Sequence, residues 1–135
     1  MSNTPFSPTL LIAVALGSAI GGVARYLMTI AVQPRSIAFP FGTLAVNILG
    51  CFLIGAIAQY SLTSGRLSPE LRVLLISGFC GGFTTFSTFS FESLELIQAG
   101  AWSRALLYTL LSVSVGLGAV WVGTAAVRAT VGAPG

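Results

Sequence analysis

Long apolar stretches, broken by short polar joints, set the pattern of this chain. Residues 1–24, 36–65, 73–91 and 105–127 contain no charged side chain, and each is near or above the ~20 residues that a helix needs to cross the hydrocarbon of a bilayer. The joints read AVQPRSIAFP, TSGRLSPE and AGAW, and their prolines and glycines are ordinary helix stops. The pattern predicts one all-α membrane domain over residues 1–135, with four transmembrane helices at about 9–30, 39–62, 71–98 and 102–127. The opening MSNTPFSPTL has no lysine or arginine to lead a secretion signal, so the first stretch reads as a span.

One stretch departs from the greasy pattern. Residues 81–90 read GGFTTFSTFS, with two adjacent glycines and five hydroxyls. Each glycine costs roughly 1 kcal/mol relative to alanine inside a helix, and serine and threonine side chains offer the backbone competing hydrogen bonds. The third helix is therefore expected to break at residues 81–84, near the bilayer midplane. A break there exposes carbonyls and amides that protein, water or an ion must satisfy. Carbonyls from two copies would form an oxygen cage for a small hard cation such as sodium. A hinge or close helix crossing without an ion is the alternative, and the residues alone leave both open.

Composition supports the membrane reading: 55% of the residues are hydrophobic and 7% charged, against roughly 25% charged in soluble domains. The charges are six arginines and three glutamates, with no lysine, so nothing forms a basic patch for nucleic acid. Four spans place Arg66, Arg72 and Arg128 on one side and Arg25, Arg35 and Arg104 on the other. Orientation normally follows an excess of positive charge on the cytoplasmic side, and three against three gives none. The tie points to insertion in both directions and to an antiparallel homodimer with its two-fold axis in the membrane plane. Gly17 with Gly21, and Gly78 with Gly82, are small-xxx-small pairs that allow close helix packing.

The candidate chemistry is neutral. Phe86 and Phe89 share one helix face beyond the break, with Thr85 and Thr88 beside them. Such a pair usually belongs to a core, but phenyl edges carry the positive part of the ring quadrupole and can favour an anion without trapping it. Asn47 offers an amide donor in the second span, and Tyr108 and Ser112, four residues apart, offer a ladder of hydroxyls in the fourth. Cys51 and Cys80 lie in apolar runs and read as packing thiols. No acid, histidine or lysine occupies a span interior, which disfavours a proton-coupled pump. No nucleophile with a base, metal-ligand set or phosphate loop is present, which argues against an enzyme.

The order GGVARY, then FPFGTLAVNILGCFLIG, then SGFCGGFTTFSTFSFE closely resembles the fluoride-channel family known as Fluc or CrcB. The likeness runs through Glu95; the fourth span matches only through Tyr108 and Ser112. The resemblance implies an antiparallel, dual-topology homodimer in a bacterial plasma or inner membrane, with two fluoride pores and a central structural sodium ion. It implies that carbonyls of Gly81 and Thr84 hold the sodium and that Phe86, Phe89 and Asn47 line the pore. Ser87 with Thr88 would form a hydroxyl track, and Tyr108 with Ser112 would serve from the fourth helix. Arg25 would draw anions into the vestibule. Glu92 stands at a pore mouth or packs and caps, and Gly116 ends the hydroxyl ladder one turn past Ser112. The implied activity is passive export of cytoplasmic fluoride, since a negative-inside potential drives an anion outward at ~2.3 kcal/mol per charge per 100 mV.

Two other readings remain at this level. A small proton-coupled multidrug exporter would share the size, but it needs a carboxylate in the first span, and residues 1–24 have none. A non-conducting assembly subunit fits the composition but gives no reason for a hydroxyl-rich break at mid-membrane.

Overall fold

The computed structural model describes residues 7–35 and 38–131, and every regular element among them is helical. Helix α1 spans Pro8–Val32 and α2 spans Phe41–Ser64. The third span begins with Pro69–Val73, continues through Leu74–Cys80 and ends in Gly81–Phe83; these contiguous residues, 69–83, are α3. Helix α4 is Phe86–Gln98 and α5 is Trp102–Val131. Among the described residues, four helical spans are long and apolar enough to cross a membrane, with α3 and α4 together making the third. Residues 1–6, 36–37 and 132–135 of the expected domain lie outside the described residues.

Local chemistry explains the boundaries. Ser68 accepts a hydrogen bond from the Leu71 N–H at 3.2 Å and Pro69 follows it, a capped start that needs no donor from the ring nitrogen. Gly65 ends α2 at φ 59°, a left-handed conformation that a side chain would resist. Helix α5 runs four residues past the expected end at 127 because Arg128 sits favourably in its last turn and its Nε donates to Gln59 Oε1 at 3.3 Å. Over Leu74–Cys80 the pairing of α3 loosens to the wider π-helical form, which the sequence pattern did not anticipate.

Two glycine seams hold the bundle. Along the first, α1 lies on α3 with backbone against backbone: a methyl group on Gly17 would strike the Leu74 carbonyl oxygen and stand 2.9 Å from the Gly78 Cα. The pairs Gly17/Gly21 and Gly78/Gly82 therefore pack against each other, and Gly82 rests on the Ser18 backbone. Along the second, α2 lies on α5, with Gly55 against the Val120 carbonyl and Gly123 against the Phe52 carbonyl. Apolar side chains such as Leu16 and Ile20 on α1, and Leu117 and Trp121 on α5, stay exposed and suit a lipid surface.

These seams predict a sharp contrast. Gly17→Ala forces two backbones apart and is expected to cost about 1–3 kcal/mol. Gly118→Ala, which points into open space, should leave the thermal unfolding midpoint in detergent unchanged or slightly raised; equal midpoints for the two variants would contradict the packing.

Candidate functional site

Thr84 and Thr85, in the middle of the third span, leave the helical conformation. Their φ/ψ values are −80°/156° and −148°/113°, both extended. The interruption falls later than expected: Gly81 and Gly82 remain helical, because Gly82 is held against α1. Side chains create it. Thr84 closes α3 by donating from its hydroxyl to the Cys80 carbonyl at 2.9 Å, and the Thr85 hydroxyl opens α4 by accepting from the Thr88 N–H at 3.2 Å. From α2, the Asn47 carboxamide takes both backbone groups of Thr85: Nδ2 donates to the carbonyl at 3.0 Å and Oδ1 accepts from the N–H at 2.7 Å. Gly50, one turn nearer the C-terminus of α2, makes room for the Thr84 methyl.

The rerouted bonds leave carbonyls short of partners. The usual helical donor to the Gly81 carbonyl is the Thr85 N–H, which is turned to Asn47. The usual donor to the Thr84 carbonyl is the Thr88 N–H, which is turned to the Thr85 hydroxyl. Arg25, expected at a vestibule, instead reaches inward: its Nη1 lies 3.4 Å from the Thr84 carbonyl oxygen. It sits seven residues before the end of α1, about 10 Å inside it.

Beside the interruption lies a cavity of about 370 Å³, lined from α2 by Asn47 and Cys51, from the third span by Cys80, Gly81, Thr84, Thr85, Phe86 and Phe89, and from α5 by Ser112. Its most telling group is the Ser112 hydroxyl, which is buried and has no hydrogen-bond partner. A buried hydroxyl without a partner costs about 1–3 kcal/mol, which a polar occupant of the cavity would relieve. The Phe86 and Phe89 rings stand 5.7 Å apart and tilted by 45°; Phe86 is 80% exposed, whereas Phe89 is braced by the Tyr108 ring at 5.1 Å. Ser87 and Thr88 form a hydroxyl cluster with Thr85, at 3.3 and 3.0 Å from its Oγ1.

Tyr108 and Ser112 do not form one ladder. Tyr108 is fully buried, and its hydroxyl donates to Glu92 Oε2 at 2.7 Å while Thr43 donates to Glu92 Oε1 at 2.8 Å. Each carboxylate oxygen of Glu92 thus has a hydroxyl donor. Sequence reasoning missed Thr43 as a member of the site, and it placed Thr85 beside the phenylalanines without its backbone pairing to Asn47. The available signal was that Thr43 lies one turn before Asn47, which places both on one face of α2.

The chain matches a family model described as CrcB-like protein, Camphor Resistance (CrcB), over residues 12–124. It is 46% identical over 113 residues to the "Fluoride-specific ion channel FluC" of Chlorobium phaeobacteroides (strain BS1), covering 84% of this chain and 88% of that protein. It is 47% identical over 121 residues to the protein of the same name from Geobacter sulfurreducens, covering 89% and 98% of the two chains. A third protein so named, from Chlorobaculum tepidum, is 49% identical over 111 residues, covering 82% and 88%. Matched over nearly its whole membrane-spanning length, the chain belongs to the CrcB-like family.

Proposed function

We propose that the chain forms a passive, fluoride-selective channel that lets cytoplasmic fluoride leave across a bacterial plasma membrane. The observation that carries this is the cavity beside the interruption, which joins an unpartnered hydroxyl on Ser112 to the two phenyl rings. Asn47 has one amide hydrogen beyond the one given to Thr85. Such donors can replace part of the hydration shell of a small anion while no lysine or arginine side chain lines the cavity to hold it fast. The names borne by the relatives support fluoride as that anion.

The assembly we propose is an antiparallel homodimer. It is supported by the three-against-three arginine count and by Phe86, which stands 80% exposed on a face that it shares with the exposed Ser90 one turn on. A second copy laid on that face would enclose the path, and the axis would pass near the interruption. The carbonyls of Gly81 and Thr84, both deprived of their usual helical donors, are of the right kind for a hard cation. Two copies would supply four such oxygens for a sodium ion, whose charge would lock the two copies together. Arg25 already leans on one of these carbonyls, so the ion would share Thr84 with a guanidinium.

Liposomes holding the purified protein and loaded with fluoride or chloride test the channel. After a potassium ionophore is added, ion-selective electrodes should register fast fluoride release and no chloride release. Phe86→Ile or Phe89→Ile should abolish the fluoride signal while the dimer still assembles; normal flux in both variants would remove the rings from the path. Replacing sodium by N-methylglucamine, a cation too large for a four-oxygen cage, should lower the unfolding temperature of the dimer. The same temperature in both salts would contradict the structural sodium.

A further inference from the structure

Helices α2 and α5 run side by side in the same direction, since Gly55 meets Val120 while Gln59 meets Arg128 farther on. Steps of four residues on each helix therefore advance together, about 6 Å per step. Thr43 and Tyr108, bridged by Glu92, form the first level. Asn47 and Ser112 form the second and share the cavity. Cys51 and Gly116 form the third, where a methyl on Gly116 would meet the Cys51 sulfur at 3.5 Å. At the fourth, Gly55 lets the backbones close on each other. The missing side chain at Gly116 is thus a space faced by the Cys51 thiol, which lines the same cavity as the unpartnered Ser112 hydroxyl.

We propose that the Cys51 thiol lines the ion path one turn beyond Asn47, so that a small group attached to its sulfur closes the path. This rests on the channel reading given above. Cys51 is half-buried, whereas Cys80, the other cavity cysteine, is 1% exposed. The two can therefore be told apart by access. Methyl methanethiosulfonate is small enough to enter. The Cys51 sulfur, its proton lost to water, attacks the sulfenyl sulfur of the reagent; the new S–S bond forms as the bond to the sulfonyl sulfur breaks, and methanesulfinate leaves.

Fluoride efflux is measured before and after treatment, with intact mass reporting the added methylthio group. The wild-type protein and Cys80→Ala should slow by about tenfold or more and recover with a reducing agent, whereas Cys51→Ser and Cys51→Ala should each keep their own untreated rate. Unchanged efflux from protein shown to carry the group on Cys51 would overturn the proposal. So would slowing that persists in both Cys51 variants, or a Cys51 that reacts only after unfolding. Untreated protein that passes no fluoride overturns the channel reading itself, which sets that failure apart from a failure of the thiol's role.

Discussion

The pairing of the Asn47 carboxamide with the backbone of Thr85 is the interaction on which the rest of the site depends. A helix interrupted inside a bilayer must find partners for the groups it frees, and Asn47 supplies a donor and an acceptor to one residue at once. Because Thr85 is held from outside, its N–H no longer reaches Gly81, and α4 can start afresh on the Thr85 hydroxyl. The fresh start sets the direction of Phe86 and Phe89, and hence the wall of the cavity. A single amide thus converts a hydroxyl-rich sequence into a defined opening.

The surroundings make that opening rigid. Backbone contact along Gly17 and Gly78 fixes α3 from one side, and the seam of Gly55 and Gly123 fixes α2 against α5 on the other. Small residues are the means available in lipid, where no hydrophobic force draws apolar helices together and close van der Waals contact must serve. The Glu92 carboxylate, which takes one hydroxyl hydrogen bond on each oxygen from Thr43 and Tyr108, ties α4 to α2 and α5.

Much of this was legible in the sequence because it is local or compositional. Four uncharged stretches dictate four spans, the glycine pairs at four-residue spacing announce the α1 seam, and GGFTTFSTFS announces a weak point in the third helix. What was not legible depends on helix phase across long sequence separations. Asn47 and Thr85 are 38 residues apart, and it is their meeting that moves the interruption past Gly81 and Gly82. Arg25 reaches Thr84 across 59 residues, which spacing alone cannot reveal. Thr43 was visible as a polar residue in a span, but only its 2.8 Å bond to Glu92 gives it a role. The Tyr108 and Ser112 pair shows the converse: correct spacing placed both on one face of α5, yet the Tyr108 hydroxyl is taken up by Glu92 while the Ser112 hydroxyl is left without a partner beside the cavity.

The ion path depends on Asn47, and fluoride efflux from liposomes holding the Asn47→Ala protein, checked for native helical content, is the most direct measurement. Loss of fluoride flux from folded protein, with stability lowered by about 1–3 kcal/mol for each of the two backbone groups left without a partner, is the predicted result. Wild-type flux from the same variant would contradict the claim that this pairing builds the path.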